Sequence, residues 1–275
     1  MQQPKIFRRN SRVFAIIGIV FLMVSSFVGF QKHTLLWTKK IEANAIVADK
    51  LGNVIAINND QLTKIKPDGS LYRVYSNKQL GTITSIDVSN PLKILIFYQP
   101  FSRILFLDNT LTENGSAIFL DQLELEQASA VCSSFDNGFW VFNQIDFSLY
   151  RYNQNLQLTT TTKNINQFLG QKPMVNFMIE YENRLYLNDS KIGIFVFDIF
   201  GTYLKTIPIK NINRFQMRNE RIIYSPDSII YCAFDTRSLQ IDTLAIPEKD
   251  IISASWIENN LFLLKKDSLS AYHFN

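Results

Sequence analysis

Arg103-Ile104-Leu105-Phe106-Leu107-Asp108-Asn109 is a short apolar run that stops at an Asp-Asn turn, and the chain repeats it. Leu149-Tyr150-Arg151-Tyr152-Asn153, Ile194-Phe195-Val196-Phe197-Asp198 and Ile230-Tyr231-Cys232-Ala233-Phe234-Asp235 follow the same plan. Leu62-Thr63-Lys64-Ile65-Lys66-Pro67-Asp68-Gly69 is a looser first copy, and Leu269-Ser270-Ala271-Tyr272-His273-Phe274-Asn275 is the last. Runs rich in Ile, Val, Phe and Tyr suit a strand, and Asp, Asn and Gly suit the tight turn that ends it. The last apolar residue before each turn marks a common phase. Leu107, Tyr152, Phe197, Phe234 and Phe274 are 45, 45, 37 and 40 residues apart.

Working outward, each copy follows a shorter apolar strand, such as Lys93-Ile94-Leu95-Ile96-Phe97 or Gly138-Phe139-Trp140-Val141-Phe142. A turn precedes each of those, such as Asp136-Asn137-Gly138 or Glu258-Asn259, where left-handed backbone is tolerated. A third apolar stretch comes before the turn, and a more polar strand follows the repeated copy. Four strands in a period of about 40 residues describe a propeller blade, and the count is six. The sixth unit stops at Asn275 without its outer strand, while Leu35-Leu36-Trp37-Thr38-Lys39-Lys40-Ile41 stands unassigned upstream of the first. The expected fold is an all-β, six-bladed β-propeller over residues 34–275, closed by that N-terminal strand. Pairing the chain ends removes an open sheet edge. Two polar stretches, 120–127 and 164–170, are expected as loops or single helical turns between blades. The aromatics Trp140, Tyr186, Phe197 and Trp256 are expected between blades.

Residues 1–33 form a separate segment, a signal peptide or an N-terminal membrane anchor. Val13 to Phe30 is an uncharged, largely apolar run behind Lys5, Arg8, Arg9 and Arg12. A basic stretch followed by an apolar one is an export signal, and the positive charges stay on the cytoplasmic side. The run is long enough to span a bilayer as a helix, and Val24-Ser25-Ser26 is a passable cleavage site, so cleavage and retention both remain open. Either outcome sends the propeller out of the cytoplasm, to the periplasm or the outer side of a membrane.

The charge of +4 comes from the leader. Without its four cations, 24 Lys and Arg stand against 24 Asp and Glu. A neutral body gives no cationic footprint for nucleic acid. Cys132 and Cys232 sit in apolar strand runs and are expected as buried thiols. No C-x-x-C, P-loop or G-x-G-x-x-G occurs. Only His33 and His273 are present, too few for a multi-histidine metal site.

In a propeller the innermost strands all begin at one end of a central channel. Glu42, Asn44, Asn176, Asn213 and Asp250 fall at those beginnings, and carboxylate and carboxamide oxygens are ligands suited to Ca²⁺. Turn chemistry alone also predicts Asn and Asp there. In blade count and residue types the chain resembles the six-bladed lactonase-type propellers related to senescence marker and paraoxonase proteins. That resemblance implies a Glu/Asn/Asn/Asp set on a central divalent ion. Asp49-Lys50-Leu51-Gly52-Asn53 with Pro67-Asp68-Gly69 is similar to NHL-like repeats. Residues 34–275 as a whole resemble exported six-bladed propellers of Bacteroidetes-type bacteria, which implies an envelope location and no particular reaction.

The expected function is a non-enzymatic envelope propeller that binds a protein or another envelope component through loops on one face. One alternative is a Ca-dependent lactonase-like hydrolase with its metal at the channel mouth. The other is a membrane-anchored extracytoplasmic sensor domain, which requires the leader to be retained. The expected partners are a protein or envelope component, and the membrane through residues 13–30 if they are uncleaved.

Overall fold

The computed structural model describes residues 33–226 and 231–274. The apolar stretch at 13–30, with the export signal or membrane helix expected there, lies outside the described residues. Among the described residues no helix is long and apolar enough to cross a membrane.

The described chain forms six four-stranded antiparallel sheets. Blade I is Ala45–Ala48, Val54–Asn58, Gln61–Ile65 and Leu71–Ser76, and blade II is Ser85–Asp87, Ile94–Tyr98, Arg103–Leu107 and Ile118–Phe119. Blade III is Ala128–Ser133, Phe139–Asn143, Ser148–Tyr152 and Leu158–Thr162, and blade IV is Val175–Tyr181, Arg184–Asp189, Gly193–Asp198 and Tyr203–Ile207. Blade V is Gln216–Arg218, Arg221–Tyr224, Tyr231–Asp235 and Ile241–Leu244. Blade VI takes Ser253–Ile257, Asn260–Leu264 and Ser268–Phe274 from the C-terminus and His33–Lys40 from the N-terminus. The closing strand runs antiparallel to the last, with Trp37 opposite Ala271 and Lys39 opposite Leu269. The closure read from the sequence is therefore the one observed.

The core is divided into six wedges, each shared by two neighbouring blades. Side chains alternate across a strand, so each strand feeds two wedges. In blade II, Leu105 and Leu107 pack toward blade I, whereas Ile104 and Phe106 pack toward blade III. Both faces of a blade are buried, which is why the central strands read as continuous apolar runs. The phase markers all behave alike. Ile65, Leu107, Tyr152, Phe197, Phe234 and Phe274 each face the wedge shared with the preceding blade.

The turn after the marker is built the same way in four blades. The side-chain oxygen of Asp108 accepts the N–H groups of Thr110 and Thr112 at 2.8 and 2.9 Å. Asn153, Asp198 and Asp235 do the same for the residues that follow them. In blades II and V the donated hydrogen bonds hold these carboxyls, Asp108 and Asp235, below the usual carboxylate range.

The polar stretch at 120–127 contains the short 3-10 helix Leu120–Leu123, and 164–170 contains the α-helix Ile165–Leu169. Leu120, Leu125 and Ile165 are buried, so these connections plug the rims of the wedges as well as linking blades. Cys132 is buried as expected; Cys232 is only half-buried.

Candidate functional site

The innermost strands surround a channel of about 1280 Å³. They begin at what we call the upper face and end at the lower face. Each innermost strand carries backbone groups on the edge that no fifth strand pairs. A buried N–H without an acceptor is costly, so those groups need other partners. Neighbouring blades supply them. Asp87 of blade II accepts from Ser133 N at 2.8 Å, Gln216 of blade V from Trp256 N at 2.8 Å, and Ser255 of blade VI from Ala48 N at 2.9 Å. Glu180 of blade IV accepts from Phe135 N at 2.9 Å, Ser134 Oγ at 2.9 Å and the Trp140 indole N–H at 2.7 Å. Asp87 also accepts from Ser89 N. The channel's two inner carboxylates are thus engaged in joining blades.

The upper mouth is built differently. Arg214, at the start of blade V, donates through Nη2 to the carbonyl of Thr84, at the start of blade II. In a six-blade ring these two blades stand opposite one another, so the guanidinium bars the mouth. Burial alone pulls its pKa down, yet an arginine stays charged. Beside it, Asn176 Nδ2 donates to Asn213 Oδ1 at 3.4 Å. The buried Asn188 donates to Asn176 Oδ1 at 2.7 Å and to the Ile212 carbonyl at 2.8 Å. Asn44 Oδ1 accepts from Asn59 N at 3.1 Å.

Of the residues read from the sequence, Asn44 and Asn213 line the channel and Asn176 joins Asn213; Glu42 and Asp250 are exposed and are not among the lining residues. Among the described residues no group of three or more His, Cys, Asp or Glu side chains is arranged to hold a metal. The carboxamide oxygens that would face Ca²⁺ are turned toward N–H donors, and a guanidinium stands beside them. The histidines are taken up in blade VI. His273 shares a hydrogen bond with Asn260 Oδ1 at 2.8 Å, and the His33 ring lies 5.6 Å from that of Tyr272.

Arg214, Asp87 and Glu180 were not singled out from the sequence. A signal exists for the last two. Ile86-Asp87-Val88 and Ile179-Glu180-Tyr181 each set an acid inside an apolar innermost strand, where it needs a partner. Arg214 carries no such local mark.

The lower face is ringed by hairpin turns. Leu51, Leu92 and Phe135, at the turns of blades I, II and III, are each more than half exposed. The equivalent turns of blades IV, V and VI are Glu182-Asn183, Asn219-Glu220 and Glu258-Asn259. Between blades II and III this face holds a groove of about 650 Å³, lined by Leu92, Asn114, Asn137, Asn153, Asn155 and Leu156. Lys93 Nζ donates to the Asn137 carbonyl at 2.6 Å and steadies the groove floor.

The fold and channel define a six-bladed β-propeller. Solved structures with the same fold include a streptogramin B lyase structure, at TM-score 0.62 and 8% identity, covering 88% of this chain and 98% of that one. A virginiamycin B lyase from Staphylococcus aureus aligns at TM-score 0.61 and 9% identity, over 89% of this chain and 100% of that one. The Pan2 WD40 domain of Neurospora crassa aligns at TM-score 0.58 and 7% identity, over 89% of this chain and 96% of that one. At these identities the likeness concerns the fold. No family model and no curated protein matches the sequence.

Proposed function

We propose that this chain is a non-catalytic binding module working outside the cytoplasm, and that it docks a partner protein on its lower face. The observation that carries this is the apolar rim of Leu51, Leu92 and Phe135, with the Asn-lined groove beside it. Turn tips favour Gly, Asn, Asp and Ser, so large apolar side chains there are out of keeping with turn chemistry. Exposed apolar side chains on successive turns of one face suit a docking surface. Asn side chains along the groove both donate and accept, which suits the backbone of an extended segment. The histidines and the inner carboxylates have structural partners, which supports a binding reading over an enzymatic one. The basic-then-apolar leader supports the location.

The test is site-specific photocrosslinking in cells, with a photoreactive amino acid at Leu92 or Leu156 and, as control, at Leu36 on the outer strand of blade VI. A discrete adduct from the groove positions and none from Leu36 supports the reading. No groove adduct, or the same adducts from all three positions, sinks it. Sequencing of the mature N-terminus, with fractionation, checks the location and separates a cleaved leader from an anchored sensor. Recovery of the mature chain in the cytoplasm would overturn the envelope reading.

A further inference from the structure

We propose that the upper mouth of the channel is a binding site for the carboxylate of a small polar organic acid, with Arg214 as the anion-binding residue. This site is on the face opposite the docking groove and stands independently of it.

Arg214 extends from blade V across the channel and donates one N–H to the Thr84 carbonyl. A guanidinium has five N–H donors in a fixed fork, so most of its donor capacity remains. It is exposed to the channel. Among the described residues no carboxylate lies within ion-pair distance of it. The buried cations among the described residues are paired: Lys64 has Asp49 at 3.3 Å, and Arg151 has Asp136 at 2.8 Å. The channel carboxylates Asp87 and Glu180 are taken up in joining blades, so a cation at the mouth with no ion-pair partner attracts an anion. Asn44, Thr82, Asn211, Asn213 and Ser253 share the channel lining with it. They offer carboxamides and hydroxyls to the polar groups that flank a carboxylate. Below them the walls turn apolar at Ile46, Ile86 and Val131, and the volume of about 1280 Å³ leaves room for the body of the ligand.

The charge count favours a carboxylate over a phosphate. One guanidinium balances one monoanion, and its planar fork matches the two oxygens of a carboxyl group. The other cation lining the channel, Lys50, follows the end of an innermost strand and so belongs to the lower face. Peptide C-termini and uronic acids both present a carboxylate flanked by hydrogen-bonding groups, and the two sources are separated by the probes below.

The experiment is titration calorimetry on the purified chain with N-acetyl-trialanine and with galacturonate. Each is run beside its neutral counterpart, N-acetyl-trialanine amide and galacturonate methyl ester, and beside inorganic phosphate. Binding of one or both acids, with the neutral form weaker by at least about tenfold, is expected. Arg214→Gln should lower the acid's affinity by at least about tenfold, and Arg214→Lys by less, because the charge remains and the fork is lost. Which acid binds assigns the source. A readout on the unmutated chain guards against misfolding of the variants: the bound acid should protect Arg214 from phenylglyoxal, read by peptide mass spectrometry. The proposal is overturned if neither acid binds, if the neutral forms or phosphate bind as tightly, or if Arg214 reacts equally with and without acid.

Discussion

The seam between blades III and IV and the seam between blades VI and I solve the same problem in different ways. At III/IV the chain runs continuously from one blade to the next, and Glu180 gathers Trp140, Ser134 and Phe135 N onto one carboxylate. Ile165 of the connecting helix is buried in that wedge. At VI/I the chain enters blade I only from the closing strand, through residues 41–44, and the other three strands of blade VI reach that strand and blade I by association alone. Closing a loop of about 240 residues costs roughly 5 kcal/mol of chain entropy. The attachments there are neutral and distributed. Ser253 and Ser255 accept from Ile46 N and Ala48 N near the channel. Farther out, the Trp37 indole N–H donates to the Pro67 carbonyl at 2.8 Å, and its ring lies against Gly69. The contrast teaches that a seam between two blades each built from one continuous stretch of chain can concentrate its polar contacts on one acid. A blade assembled from strands at opposite ends of the ring needs a full strand pairing and a latch.

The largest expected effect comes from removing the closing strand. A chain lacking residues 34–41 leaves Ser268–Phe274 as an open edge and exposes the VI/I wedge. We expect loss of cooperative unfolding in urea, with aggregation; a cooperative transition near the wild-type midpoint would show that the ring does not depend on it. Next comes Glu180→Ala at the interior seam. It strands three donors, one of them the indole N–H of the fully buried Trp140, and should cost about 3 kcal/mol. Equilibrium urea denaturation measures it, and a loss under about 1 kcal/mol would reject the hub role.

Gly69→Ala is a smaller probe of the latch. Gly69 has φ +82, and a Cβ there would lie 2.9 Å from the Trp37 ring. We expect a loss of about 1–2 kcal/mol, reduced when Trp37 is also changed to Leu. Additive losses in that double-mutant cycle would mean that the two residues do not interact.

The smallest effect is one of pH. The Ser70 hydroxyl at 2.6 Å, and then the Ser70 N–H, hold the Asp68 carboxyl below its ordinary value of 3.8. A folded pKa below the unfolded one means that its contribution is present above the unfolded value. The contribution is lost as pH falls through the lowered folded value. Asp68→Asn should therefore be less destabilised than wild type on going from about pH 7 to about pH 3. Equal acid sensitivity of the two proteins would remove Asp68 from the closing seam's pH response.

Much of the fold was legible because its signals are local. Leu107, Tyr152, Phe197, Phe234 and Phe274 keep one phase, since a strand with period two and a turn built on Asp or Asn are decided by neighbouring residues. The closing strand was legible by counting: one unit lacked an outer strand, and one strand lacked a unit. The mouth was only partly legible. Asn44, Asn176 and Asn213 could be read as strand beginnings, but nothing local shows that Asn188 draws on Asn176. Arg214 was passed over because a lone arginine in Asn213-Arg214-Phe215 looks like any solvated turn residue.

From the sequence alone came the blade count, the phase of the strands, the identity of the closing strand and the neutral body behind a cationic N-terminal segment. These rest on alternation and turn chemistry acting over a few residues. The tertiary structure decided which polar groups are used up and which remain. Arg214 meets Thr84 across 130 residues of chain only because six blades bend into a ring. Whether a charge is neutralised depends on what that ring sets opposite it, and the period along the chain carries no record of that.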